Sequence, residues 1–306
     1  MPPWGIAAPK ASGHNRGAMA HTNPRGGPQG NPDIAPTGHF TAQVWVREDF
    51  PNAHLFDTSK GRRLFRAADT LLKVFGPVLP PLVRYHEEYL AIRHYAFEAR
   101  LKDIKPDFVL EIGAGLSPRG ITFAEAFPRL TYVEGDLAGM VEAKRSRIGT
   151  RRLPANYHLH VNDLFSPRFL ESLPARPGPG QRVVVITEGV CDYLSIPEKK
   201  LAWTNIARFL KSAGGGTYLF ELHPMERFAR YQMAAKLFMA LLGRVVVGGM
   251  DFSKRVFQRA SEAFDLLREC GFSSARTLDL ASLNTSPYRP PLEDCPWILC
   301  EAELRP

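Results

Sequence analysis

The sequence predicts an α/β fold: a doubly wound, mostly parallel sheet with a final antiparallel strand. Three observations carry this. From residue 106 onward, short apolar runs alternate with helix-like stretches, the order expected of parallel strands joined by crossovers. The first run ends in a glycine turn, Gly113-Ala114-Gly115. The last two runs are joined by a proline-rich loop, so they can pair antiparallel.

Taken in order, residues 1–38 are rich in Gly, Pro, Ala, Asn and His and poor in large apolar residues. Such a segment buries too little surface to offset its ordering entropy and reads as a disordered tail. Residues 39–105 read as helical and form an N-terminal lid region. Apolar residues recur at helical spacing over 61–76 until Gly76-Pro77 stops the pattern. A longer helix, 82–102, places Tyr85, Tyr89, Ile92, Ala96 and Ala99 at three-to-four spacing. Strands are expected at 107–112, 130–134, 157–161, 182–187 and 217–222, the fourth apolar enough to be buried on both faces. Helices follow at 120–127, 138–147 and 197–211, the last opened by Pro197. Residues 225–250 read as a helical insert that extends the lid, with an amphipathic helix over 225–242. There Met225, Tyr231, Met233, Phe238 and Met239 offer apolar surface, which core packing would explain equally well. A helix over 253–270 ends at Gly271, and strands at 274–278 and 297–303 complete a domain spanning 106–306.

Composition narrows the function. The chain has 306 residues, 44% hydrophobic and 23% charged, ordinary values for a globular enzyme. Its net charge of +8 is spread along the chain. With no zinc-finger spacing or RNA-binding aromatic motif, a basic enzyme is favoured over a nucleic-acid binder. Cys191, Cys270, Cys295 and Cys300 form no CxxC pair and read as reduced, packed thiols, with no metal site. No stretch approaches the roughly 20 apolar residues that span a bilayer, and the first residues lack a signal peptide's apolar segment. The expectation is a cytoplasmic protein with no membrane partner.

The chemistry sits at the strand ends. In a doubly wound sheet the ligand lies beyond the carboxyl ends of the strands, where strand order reverses. Gly113 and Gly115 allow a tight turn and close approach to a ligand. A dinucleotide site would place a third Gly or Ala where Pro118 stands. Glu111, two residues before Gly113, would repel a pyrophosphate but suits an ammonium group. The second strand ends in Glu134-Gly135-Asp136, and Glu134 lies 21 residues after Gly113, near the spacing of an acid on ribose hydroxyls. Spacing does not choose between Glu134 and Asp136. After the third strand, Asp163 can accept from an adenine amino group and Leu164 can cover the ring, although Asp163 also suits a helix cap. Glu188, at the end of the fourth strand, is costly unless paired or at the cavity mouth. Tyr193 suits a substrate pocket or the core. These features point to a class I S-adenosylmethionine-dependent methyltransferase with a Rossmann-like sheet, whose added feature is the terminal antiparallel strand.

The chain resembles the leucine carboxyl methyltransferase family, in the bacterial branch that includes tetracenomycin-type polyketide O-methyltransferases. The matching residues are 111–117, 132–137, 162–164 and 186–190, with an upstream piece at 41–47. The resemblance implies backbone contact from Gly113, ribose binding by Asp136, adenine binding by Asp163 and Leu164, and contact with the methionine or sugar region from Glu188. It further implies that Arg93, or its rival Arg100, clamps the cofactor carboxylate by bidentate pairing. The family's Asp-Thr-Arg after the glycine turn is replaced here by Ser117-Pro118-Arg119.

The expected reaction is methyl transfer to an oxygen of a small aromatic or polyketide-like acceptor, a carboxyl or a hydroxyl. A phenol would need a base, for which His223 is the candidate, although a His beside Pro224 is more often structural. The alternatives are a protein carboxyl methyltransferase, a nucleic-acid-binding methyltransferase and a non-catalytic cofactor-binding protein. The oligomeric state is not written in the sequence.

Overall fold

The computed structural model describes residues 35–75, 81–166, 168–231 and 255–306. Tail residues 1–34, and Met233, Phe238 and Met239 of the insert, lie outside the described residues. Seven strands form one sheet: β1 (Phe108–Ile112), β2 (Thr131–Asp136), β3 (Tyr157–Val161), β4 (Val183–Thr187), β5 (Gly216–Leu222), β6 (Ser274–Thr277) and β7 (Ile298–Leu304). Their order is β3-β2-β1-β4-β5-β7-β6, parallel from β3 to β5, with β7 antiparallel to both β5 and β6. Strand order reverses between β1 and β4, the position at which doubly wound sheets bind their ligands.

The strands form where β-branched and aromatic residues are buried on both faces, as in Val183–Thr187, all five of which are buried. One face carries α4 (His86–Ile104) and α5 (Arg119–Ala126). Ile92, Ala96 and Phe97 of α4 pack in one cluster with Val109, Val184, Ile186 and Leu219 of the sheet. The other face carries α7 (Ile196–Ser212) and α8 (Ala260–Glu269), whose Trp203, Ile206, Leu210 and Leu267 pack on Leu110, Val185 and Phe220. Above α4, α1 (Ala35–Arg47) and α2 (Ser59–Phe75) form a third layer. Trp45 of α1 stacks on His94 of α4 at 4.4 Å between ring centroids.

Several expected boundaries move. The tail assigned to 1–38 gives up residues 35–38, which are the first turn of α1. The 82–102 helix is interrupted: α3 (Pro81–Arg84) ends before α4 begins at His86. Residues 225–231 of the insert form a 3-10 helix rather than an α-helix. The helix expected over 253–270 begins only at Ala260. No α-helix joins β3 to β4 among the described residues, so that connection is made of turns. α6 (Ala138–Ile148) follows β2, and α9 (Leu280–Leu283) lies in the loop between β6 and β7. Among the described residues no helix is long and apolar enough to cross a membrane. All four cysteines are free and buried.

Candidate functional site

β1 delivers Gly113, Ala114 and Gly115 to the carboxyl edge of the sheet. Gly113 has φ of +71° and Gly115 +53°, a left-handed backbone that costs a side chain but not glycine. Gly113 is also overlain by Val190, whose Cγ2 would collide with any Cβ placed there. Around Gly115 the reverse holds: the space a Cβ would enter has nothing within 4 Å. The loop thus combines one glycine pressed by the chain with one that faces open space.

β2 brings Asp136 against that loop. Its Oδ2 accepts from the Gly115 N–H at 2.7 Å and its Oδ1 from the Leu137 N–H at 2.7 Å. Each carboxylate oxygen keeps a second lone pair for a ligand hydroxyl. Burial pushes the Asp136 carboxyl up, while the two amide donors pull it down. β3 lies beside β2, and the Asn162 N–H donates to the Asp136 carbonyl at 2.9 Å. Asp163 and Leu164 therefore follow at the same edge. The Asp163 side chain accepts from the Phe165 N–H at 2.9 Å, an Asx turn, and Leu164 is buried.

Three carboxylates expected at the cofactor are committed to the interior. Glu111 is 1% exposed, with Oε1 accepting from Arg119 at 2.7 Å and Oε2 from the Tyr132 hydroxyl. Glu111 therefore does not join Asp136 and Asp163 at the ligand edge. Glu134 faces α5 and α6: its Oε2 meets Lys144 Nζ at 2.5 Å and accepts from the Tyr157 hydroxyl at 2.6 Å. Its other oxygen stands where a Gly120 Cβ would be, so only glycine fits there. Of the two acids that spacing leaves open, Asp136 is the one at the loop. Glu188 accepts from Arg93 Nε at 3.0 Å and, through its other oxygen, from Arg119. Burial alone would push the Glu188 carboxyl up, but Arg119 and then Arg93 hold it well below the usual range.

Arg119 is the residue that sequence reasoning missed. It is fully buried at the start of α5 and bridges Glu111, Glu188 and His94 Nδ1, with Phe97 under its guanidinium at 5.4 Å. Arginine only donates, so His94 Nδ1 accepts and Nε2 turns toward Glu98, 3.4 Å away. A signal was present in the chain: two acids at strand ends, Glu111 and Glu188, need a cation, and Arg119 follows the glycine turn. Glu221, on β5, was also missed. Its Oε1 accepts from the Gly189 N–H at 2.5 Å and lies 3.6 Å from Arg93 Nη1, while its buried Oε2 has no hydrogen-bond partner. Burial, only partly offset by Arg93, pushes Glu221 up to about 7.

Arg93 itself is buried beside Glu188 and Glu221 at the ends of β4 and β5, with Nη2 near Gly189. Its rival Arg100 is engaged elsewhere, by Glu301 at 2.6 Å. Next along, the 3-10 turn Cys191–Tyr193 follows β4, and His223 follows β5. His223 Nδ1 is paired with Asp192 Oδ2. Tyr193 hydrogen-bonds Thr37, so α1 stands over this turn.

The sheet order, the glycine turn and the acid at the end of β2 define a Rossmann-like fold of the class I methyltransferase type. One solved structure supports this architecture, and two others are similar at lower scores. An O-methyltransferase family protein from Burkholderia thailandensis superposes with a TM-score of 0.50 at 14% identity, over 89% of this chain and 71% of that one. A proposed O-methyltransferase of Nostoc punctiforme PCC 73102 has a TM-score of 0.47 at 16% identity, over 69% of this chain and 56% of that one. Human N-acetylserotonin methyltransferase, solved in complex with SAM, has a TM-score of 0.46 at 13% identity, over 83% and 70% of the respective chains. The chain thus spans little more than half the length of the Nostoc protein. No protein-family profile matches the chain, and no curated protein matches it.

Proposed function

We propose that this chain is an S-adenosylmethionine-dependent O-methyltransferase acting on a small acceptor. The observation that carries the reading is Asp136, at the end of β2, gripping the Gly115 amide of the loop after β1, beside the point where strand order reverses. A ribose placed over Gly115 would find two carboxylate oxygens with spare lone pairs and no side chain in its way.

The residues present fit the cofactor. Gly113 and Gly115 supply close backbone, Asp136 would hold the ribose, and Asp163 and Leu164 the adenine. Nη2 of Arg93, beside Gly189, would meet the cofactor carboxylate. The unpaired Oε2 of Glu221 is a buried acceptor suited to a cationic group. Glu111, Glu134 and Glu188 instead hold the walls through Arg119, Lys144 and Arg93. When bound, S-adenosylmethionine supplies an electrophilic methyl group, so the protein's tasks are to place an oxygen nucleophile and exclude water. α1, over the turn at Tyr193, is suited to the second task. The resemblance to the leucine carboxyl methyltransferase family, with its tetracenomycin-type branch, belongs to this proposal. The motifs at 111–117, 132–137, 162–164 and 186–190 support it.

The test is ligand linkage. S-adenosylhomocysteine at about 100 times its Kd should add about 2.7 kcal/mol to stability and raise the melting temperature, whereas NAD should leave it unchanged. Stabilisation by NAD instead would overturn the cofactor assignment. Asp136→Ala should weaken S-adenosylhomocysteine binding by about 1.5–3 kcal/mol, the worth of hydrogen bonds to a charged acceptor. Calorimetry checks the value.

A further inference from the structure

We propose that Glu221 is a specificity residue of the cofactor site: its carboxylate favours S-adenosylmethionine, charged at sulfur, over the demethylated product, S-adenosylhomocysteine. The inference rests on the methyltransferase reading above. The two ligands share an adenosine, an ammonium and a carboxylate. They differ in one methyl group and in the positive charge it leaves on sulfur. A residue that tells them apart by charge must therefore carry negative charge that the protein itself leaves uncompensated.

Glu221 is that residue. Four glutamates lie near the carboxyl ends of β1, β2, β4 and β5. Glu111 is held by Arg119, Glu134 by Lys144, and Glu188 by both Arg93 and Arg119. Among the described residues Glu221 has Arg93 as its one ion-pair partner, at 3.6 Å, and Arg93 already donates to Glu188. Glu221 is 0% exposed. Its Oε1 accepts from the Gly189 N–H at 2.5 Å, and its Oε2 has no hydrogen-bond partner. An ionised carboxylate in such a place is costly until a further cation joins it.

The fold puts this surplus charge at the methionine end of the site. Gly189 binds Glu221, and the next residue, Val190, overlies Gly113 of the cofactor loop. Arg93, assigned above to the cofactor carboxylate, adjoins it. A sulfonium has no N–H to donate, so charge alone draws it, and in a water-poor site that attraction acts without contact. The titratable and charged groups facing Glu221 are Arg93 of α4, Glu188 after β4, Cys191, Asp192 and Tyr193 of the following turn, His223 after β5 and Cys300 of β7. Burial, offset in part by Arg93 and reinforced by Glu188 and Asp192, pushes the Glu221 carboxyl up to about 7. A bound cation favours the ionised form and lowers that value again. Preference for the charged ligand is therefore absent where Glu221 is neutral, grows as pH rises toward 7, and is complete above it.

Calorimetric Kd values for both ligands from pH 5 to pH 8 test this. In the wild type the ratio of the S-adenosylhomocysteine Kd to the S-adenosylmethionine Kd should be about tenfold larger at pH 8 than at pH 5, as follows if the cation makes the carboxyl about ten times more acidic. Glu221→Gln, or Glu221→Met should the first not fold, should give a ratio that stays flat with pH and lies about tenfold below wild type at pH 8. Every other titrating group remains in these variants, so any pH dependence that those groups cause would persist. At pH 6.5, titrations of the wild type in buffers of different ionisation heat should show S-adenosylmethionine releasing about half a proton more than S-adenosylhomocysteine does. A flat ratio in the wild type, or a pH-dependent ratio kept in the variants, overturns the role of Glu221 and leaves the methyltransferase reading standing. Failure of both ligands to bind the wild type defeats both.

Discussion

Arg119 holds together two carboxylates that could not otherwise share the interior. Removing one partner of a buried ion pair leaves an uncompensated charge, at a cost of about 3–5 kcal/mol. Arg119→Met should therefore destabilise the protein by at least that amount, because Glu111 and Glu188 both lose their donor. Urea unfolding measures it, and a loss below 1 kcal/mol would show that the acids find other partners. Glu221 behaves in the opposite sense to a paired acid. Its folded pKa is about 7 against an ordinary 4.5, so its contribution is complete below 4.5 and is lost as pH rises through 7. Glu221→Gln should thus stabilise the protein at pH 8, by on the order of 3 kcal/mol, and the difference should vanish near pH 4.5. Stability curves of the two proteins against pH check the sign. At this scale the glycine turn was readable, with Gly113 and Gly115 in left-handed backbone, whereas spacing left Glu134 and Asp136 open and packing puts Asp136 against the loop. Glu111, Glu134 and Glu188 were misplaced because strand-end position does not say which way a side chain turns. That depends on Arg119 and Lys144, which approach from helices.

At the scale of elements, start signals carried more than periodicity did. α7 begins where Pro197 marks its first turn, and the Glu198 carboxylate accepts from both the Ser195 N–H and its hydroxyl. Ser195→Ala should cost about 1 kcal/mol of stability, with the cofactor site untouched. Thermal unfolding with and without S-adenosylhomocysteine separates the two. The helix was read from Tyr85, Tyr89, Ile92, Ala96 and Ala99: Tyr89, Ile92 and Ala96 are buried, Ala99 is half-buried, and Tyr85 precedes α4. It also buries Arg93, His94 and Glu98, charges that a periodic apolar pattern does not anticipate. Ala260 begins α8 later than apolar content suggested, because Arg259 is still extended. The 3-10 turn at 225–231 was read as α-helix because three and four residues per repeat look alike over so short a span.

Across the whole molecule, α4 ties the N-terminal helices to the sheet: its Leu90 and Ala91 pack with Trp45 of α1 and Phe65 of α2, and its other face packs on the strands. Leu101 and Phe97 of α4 lie in one cluster with Tyr132 of β2 and Trp297 beside β7. Unfolding should therefore be one transition. Single-tryptophan variants keeping Trp45, on α1, or Trp203, on α7, should give the same urea midpoint. Two midpoints would mean that α1 and α2 come away first, as an independently mobile cover would. The alternation of strands and helices made this architecture legible, since a right-handed crossover leaves few ways to arrange it. Which residues cover the crevice was not legible, because that is decided by packing between segments far apart in the chain.

The placement of β7 bears on how the protein is made. It lies between β5 and β6, so β6 has no partner until a later segment is synthesised. A nascent chain that has emerged only as far as the proline-rich loop carries β5 with a bare edge, open to pairing with a neighbouring polypeptide. Only the arrival of β7 seals that seam, so shielding by a chaperone matters most in the interval between the synthesis of β5 and that of β7.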